Sequence, residues 1–193
     1  MTSIIHYAEL VQSWPSFSKK IQSFMDELGF TALKLNCDHA AIRINHLDIA
    51  EQLKNHAHEY GQIISENNIN GRPILIIQLN QALIIGDVNV HYLELPFPND
   101  KHYPVEGWEH IELVFPSTAP DCQTLSDELQ QALPALAPIM AGQSDIKIKM
   151  SSPKGDKERL ANPTLAFKKD HICIKIHPHH IKDIIASEAA KPE

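Results

Sequence analysis

Cysteine is scarce in this chain of 193 residues: Cys37, Cys122 and Cys173 are odd in number and far apart, and no CxxC pair occurs. That excludes a disulfide framework and a cysteine-rich structural zinc site. No apolar run approaches the ~20 residues that cross a bilayer, and the opening MTSIIHYAEL lacks a basic segment followed by a long apolar stretch. Basic runs are missing too. With a formal net charge of −7 and no stripe of lysine and arginine, nucleic acid is a poor partner. The segment SSPKGDKERLANP holds one glycine and no Walker pattern, and His56 and His58 are not spaced i, i+4, so the usual helical zinc pair is absent. These absences lead to the expectation of a cytoplasmic protein that acts on a small molecule rather than a membrane or a nucleic acid.

What is present is an ordinary globular composition, 43% hydrophobic and 21% charged, with an unusual twelve histidines. The length suits one compact domain or two small fused modules. Phe17, Ile21, Phe24, Met25 and Leu28 recur at helical spacing, and Gly29 stands where a C-terminal cap belongs. Trp14–Pro15 is expected to separate this helix from a shorter one before it. A strand, LKLNCDHAAIRI, follows. Asp48 with Glu51 three residues on reads as a helix start with a capping side chain. Ile49, Leu53 and Ala57 form that helix's buried stripe, and Gly61 is expected to end it. GQIISEN, PILIIQL and VNVHYLEL are three further strands.

The same order then returns. WEHIELVF is a strand. Cys122, Leu125, Leu129 and Leu133 mark a helix. DIKIKMSS, TLAFK and HICIKIH are strands, and a last helix carries Ile181, Ile184 and Ile185. DHAAIR and EHIELV both open a strand with an acid followed by a histidine, and VHYLELP and HICIKIHP both run into proline. The chain therefore reads as α+β: two βαβββ modules from a diverged duplication, over residues 31–100 and 101–193, forming a cupped mixed sheet. Residues 1–30 are an N-terminal helical extension, and a C-terminal helix closes the chain. SSPKGDKERLANP is a long hairpin loop in this scheme, in the position of a lid, with Lys154, Lys157 and Arg159 at its tip.

The segments SENNINGRPI, YLELPFP, YPVEGWEHIELV, SSPKGDKERLANPTLA, IKIHP and IIASE resemble the bacterial YecM proteins, from before Cys37 nearly to the C-terminus. The resemblance implies a fold similar to glyoxalase I and the extradiol dioxygenases, the vicinal-oxygen-chelate class, with a metal held from the first and fourth strands of each module. Carried over by position, those ligands are His39, Glu94 and His110. The fourth position falls on Lys175, a cation that does not ordinarily ligate a divalent metal. Four-ligand glyoxalase chemistry is therefore not implied.

Strand alternation assigns faces. Cys37, His39, Ala41 and Arg43 share one; Val90, Tyr92 and Glu94 another; Trp108, His110 and Glu112 a third; Cys173, Lys175 and His177 a fourth. All four are assigned to the cup. Two imidazoles and a carboxylate leave coordination positions open and suit Fe(II), Mn(II), Ni(II) or Zn(II). Glu112 is a candidate base or partner of a ligand, Tyr92 a candidate proton donor, and Arg43 and Lys175 candidate binders of an anionic substrate. The metal reading is an isomerase, lyase or dioxygenase acting on a small oxygen-bearing molecule. The alternative is a binding protein without turnover, whose cup holds a small molecule or anion through Arg43, Lys175 and His39 with no metal; separately, Glu94 reads either as a ligand or as the salt-bridge partner of Lys175. HPHH, residues 177–180, reads as solvated, with His177 alone able to reach the cup. The oligomeric state is left open.

Overall fold

The computed structural model describes residues 6–69, 71–152 and 160–189. In chain order, α1 (Tyr7–Leu28) leads through a short 3-10 turn (Phe30–Leu33) to β1 (Asn36–Arg43). Then come α2 (Leu47–Asn55), α3 (Ala57–Tyr60), β2 (Gly61–Ile69), β3 (Arg72–Ile85) and β4 (Val88–Pro96). The second half repeats the pattern with β5 (Gly107–Val114), α4 (Cys122–Ala132), the small α5 (Ala137–Met140), β6 (Lys147–Ser151), β7 (Thr164–Lys169), β8 (Ile172–His177) and α6 (Ile181–Ala189).

All eight strands form one sheet in the order β2-β3-β4-β1-β5-β8-β7-β6. Each module contributes half, and the halves meet where β1 runs antiparallel to β5. Within each half the first strand lies parallel to the fourth, β1 with β4 and β5 with β8, and the remaining pairs are antiparallel. The duplication expected from the strand–helix order is thus a pseudo-twofold through the β1–β5 junction.

Helix α1 covers the convex face. Leu10, Trp14, Phe17, Ile21, Phe24 and Leu28 recur at three- and four-residue intervals and are all buried. Each contributes roughly 1.5–3 kcal/mol by leaving water. The break expected at Trp14–Pro15 does not occur, and the helix runs continuously through Pro15. The indole of Trp14 donates to the Ile84 carbonyl at 2.8 Å and meets Trp108 edge-on at 4.6 Å. The proline deprives the Val11 carbonyl of its partner, but Val11 is exposed, so water can take that place. Gly29 caps the helix as expected, at φ 77°.

One expected detail differs. Helix α2 starts at Leu47, with His46 as its N-cap, so Asp48 lies in the first turn rather than capping it. Gly61 ends the helical stretch as expected, as the C-cap of α3, and at once opens β2, where a Cβ would stand 2.4 Å from the Gln78 carbonyl oxygen. Only glycine permits that approach. The loop tip carrying Lys154, Lys157 and Arg159 lies outside the described residues. No helix among the described residues is long and apolar enough to cross a membrane.

Candidate metal centre

The concave face holds a cavity of about 350 Å³ whose floor is built from β1, β4, β5 and β8. Two irregularities in β1 aim the side chains. Cys37 pairs with Leu113, yet His39 pairs with Glu112, so an extra residue is inserted at Asp38. Cys37 joins the apolar core while both Asp38 and His39 line the cup. A second shift follows Ala41 and pairs Ile42 with Trp108. This corrects simple alternation in β5: Trp108 packs under α1 and donates to the Leu10 carbonyl, while His110 and Glu112 stay on the floor. Val90 also belongs to the core rather than the cup, because the β3–β4 register slips between Gln78 and Leu83.

Four donors converge. His39, Glu94, His110 and Glu112 each offer a ligand atom, all within 4.8 Å of one another. The Nε2 of His39 is 3.6 Å from Glu94 Oε2 and 3.5 Å from Glu112 Oε1. The Nε2 of His110 is 3.9 Å from Glu94 Oε1 and 3.2 Å from Glu112 Oε1. Among the described residues neither Nε2 has a hydrogen-bond partner, although both are buried. Ligands about 2.1 Å from one ion stand about 3.0–3.4 Å apart in octahedral or tetrahedral arrangements. The 3.2 Å gap falls in that range and the other three are longer, so a small inward movement of the side chains would bring the set around one small cation.

Each histidine is oriented by the acid before it. The Nδ1–H of His39 donates to Asp38 at 2.9 Å, and the Nδ1–H of His110 donates to Glu109. In the neutral imidazole, an Nδ1–H leaves the lone pair on Nε2, the atom facing the cluster. Carboxylate-held imidazoles of this kind are the usual arrangement for metal-ligating histidine. The acid–histidine pairs, noted in the sequence only as a repeat signature, have this physical role in both modules.

Electrostatics hold the cluster in a defined state. Burial pulls the His39 pKa down, but the charge of Glu112 and the hydrogen bond to Asp38 outweigh it and leave it well above the usual value. Burial alone would raise Glu94 and Glu112. Instead His39 and Lys175 hold Glu94 low, and Lys175 and His39 hold Glu112 well below the carboxylate range. Glu109, despite burial, is brought down to about 2 by His110 and Arg43.

The remaining expected site residues divide. Arg43 lines the cup, but its guanidinium already faces Glu109 at 3.1 Å and Glu94 at 3.8 Å. Lys175 lies 2.6 Å from Glu112, not on Glu94. Tyr92 is not brought to the cluster; its ring packs against His180 and Lys182 at the start of α6. The HPHH segment is less solvated than expected: His177 and Pro178 are buried and His179 and His180 half-buried. His177 is buried with both ring nitrogens unpartnered, 3.3 Å from Glu112, and His180 sits 3.4 Å from Asp38. Asp38 also accepts the Ile181 backbone N–H at 2.8 Å, so it ties the first turn of α6 to the floor. Strand alternation missed Asp38 because a bulge, which alternation does not foresee, turns it inward.

Paired βαβββ modules sharing one concave sheet, with histidine and carboxylate donors on both first strands and on the fourth strand of the first module, define the class: a cupped-sheet protein of two fused βαβββ modules. The chain belongs to the YecM family: the family described as "YecM protein" matches residues 6–188. It is 37% identical over 186 residues to Protein YecM of Escherichia coli strain K12, covering 96% of both chains. An uncharacterised protein of Haemophilus influenzae is 34% identical over 171 residues, covering 86% of each. A solved structure described as "Structural Genomics, Protein EC4020" superposes with a TM-score of 0.73 at 32% identity, over 96% of this chain and 94% of that one.

Proposed function

We propose that this chain is a metal-dependent enzyme whose divalent cation is held by His39, Glu94 and His110 and which acts on a small, oxygen-bearing, anionic molecule. The observation that carries this reading is the pair of buried, unpartnered Nε2 atoms facing two carboxylates across gaps of 3.2–3.9 Å. A buried polar atom without a partner costs free energy, and an ion at this point would satisfy both imidazoles at once. Iron(II), manganese, nickel and zinc all suit two nitrogens and one or two oxygens. Such an ion polarises a bound oxygen and lowers the pKa of bound water.

The protein's own groups would handle the proton. Glu112 is the second carboxylate of the cluster, and its Oε1 accepts from Lys175 Nζ at 2.6 Å. Held ionised by that lysine, it serves as a base toward a ligand oxygen or an acidic carbon, or as a fourth ligand. His177, 3.3 Å from the other Glu112 oxygen, can pass the proton onward. Isomerase, lyase and dioxygenase chemistry all use this arrangement.

The test is elemental analysis and competitive metal titration of the wild type beside His39→Ala, Glu94→Ala and His110→Ala. One equivalent of metal in the wild type and its loss in each variant is the expected result. Anaerobic Fe(II) loading and a catechol screen for oxygen uptake then address the dioxygenase form. A second reading, a non-catalytic binder, draws on Lys175–Glu112 and Arg43–Glu109, which neutralise charge without a metal. It predicts a metal-free protein whose melting temperature does not respond to Fe, Mn, Ni, Co or Zn.

A further inference from the structure

The strand registers extend the floor in two straight rows across the sheet. One row runs His39 (β1), Glu112 (β5), Lys175 (β8), Ala166 (β7), Lys149 (β6). The other runs Glu94 (β4), Ala41 (β1), His110 (β5), Cys173 (β8), Lys168 (β7), Lys147 (β6). Both begin at the proposed metal ligands, pass a small residue and end at lysine. Lys175 and Lys169 already have carboxylate partners. Among the described residues Lys147, Lys149 and Lys168 have none.

Lys147 and Lys168 stand directly opposite each other, an arrangement that is unfavourable for like charges unless an anion lies between or above them. Edge strands often carry lysine to block pairing with other chains, which accounts for β6. It does not account for Lys168, which is on β7, an interior strand. Lys168 and Lys149, both exposed, line the same cavity as His39 and Glu94, together with Ser151, Thr164 and Ala166. Across the module junction the facing wall is mixed, with Ile74 and Ile76 of β3 beside Arg72 and Asn67, while α6 adds Ile181.

We infer that Lys149 and Lys168 form a subsite for a phosphate group carried by the ligand, two to three strands from the metal. Adjacent strands are about 4.8 Å apart, so the phosphate would sit about 10–14 Å from the ligand oxygens at the ion. Diagonal neighbours on adjacent strands are about 7–8 Å apart, within reach of two long ammonium side chains closing on one dianion. Lysine is suited to this as a compact, mobile point charge. The substrate class is thus a small phosphate monoester with a chelating oxygen group at its far end. The inference rests on the metal reading only for the far end; the phosphate subsite stands on the lysines alone.

The test is titration calorimetry of the full-length, chelator-treated protein with glycerol 3-phosphate and with inorganic phosphate. Wild type, Lys149→Ala/Lys168→Ala, Lys149→Arg/Lys168→Arg and His39→Ala are compared, each checked for folding by circular dichroism. The ester is expected to bind metal-free wild type at least as well as inorganic phosphate, and about tenfold or more weakly in the double alanine variant. The double arginine variant retains binding and shows that charge, not lysine packing, is responsible. His39→Ala loses metal yet keeps the ester. Ester binding that is absent, unchanged in the double alanine variant, or seen only with metal added overturns the subsite. Ester binding by a wild type that takes up no metal overturns the metal reading and leaves the subsite standing.

Discussion

Asp38→Asn isolates the orientation of His39 from its identity as a ligand. Asp38 is completely buried, and its Oδ2 accepts the Nδ1–H of His39 at 2.9 Å while Oδ1 accepts the Ile181 N–H at 2.8 Å. An asparagine keeps one acceptor, and the helix N–H will claim it. Its amide N–H₂ then faces Nδ1, so the imidazole relieves the clash of donors by moving its proton to Nε2. That removes the lone pair aimed at Glu94 and Glu112. Removing the group that holds a metal-ligating histidine costs about 10–100-fold in affinity, or about 1.4–2.8 kcal/mol. The assay is competition for Zn(II) or Mn(II) against a chromophoric chelator. Histidine nitrogen NMR reads the tautomer directly, and circular dichroism confirms the fold. A folded Asp38→Asn protein with metal affinity within about twofold of wild type would show that His39 is not held as argued. It would remove the physical basis for the centre.

The remaining predictions concern protons and thiols. Because His39 in the metal-free protein titrates well above its usual value, it carries a proton at neutral pH that a cation must displace. Metal affinity should therefore rise with pH, by about tenfold per unit below the folded-state pKa, with about one proton released as read by calorimetry in buffers of different ionisation enthalpy. No release, or affinity flat between pH 6 and 8, would count against it. Glu109 lies at about 2 against an ordinary 4.5, a depressed carboxylate, so its stabilisation is present above about pH 4.5 and disappears as pH falls toward 2. Glu109→Gln should cost on the order of 2 kcal/mol in urea melts at pH 7 and converge with wild type near pH 2, the figure reduced for partial exposure. Parallel melts at all pH values would refute it. Cys37 and Cys173 are buried and pushed up to about 12, whereas Cys122 is half-buried, so a maleimide should label Cys122 alone in the native protein and all three thiols after unfolding.

The duplicated order of elements was legible in the sequence because each strand and helix carries its own period and both halves repeat it. That His39, Glu94 and His110 lie close together was legible because the two histidines hold equivalent positions in the two modules and the family resemblance added the glutamate. What escaped was set by backbone irregularity and by tertiary packing. Strict alternation assigned Cys37, Val90 and Trp108 to the cup, but the bulge at Asp38 and the slips after Ala41 and Gln78 turned them into the core. The proline in α1 signalled a break that burial of Trp14 and Phe17 against the sheet overrides. The lysine rows were invisible because strand pairing, not spacing along the chain, puts Lys149 and Lys168 in line with Glu112 and His110.

The two halves of the floor are related but not equal. By register, the pair Ala41 and Glu94 in the first module corresponds to Glu112 and Lys175 in the second. A true twofold would let an elongated ligand lie either way round with equal ease. Here a methyl group and a carboxylate occupy one side of the axis and a carboxylate–ammonium pair the other, so the two directions differ in both room and charge. A molecule entering this cup has a head end and a tail end imposed on it before any chemistry begins.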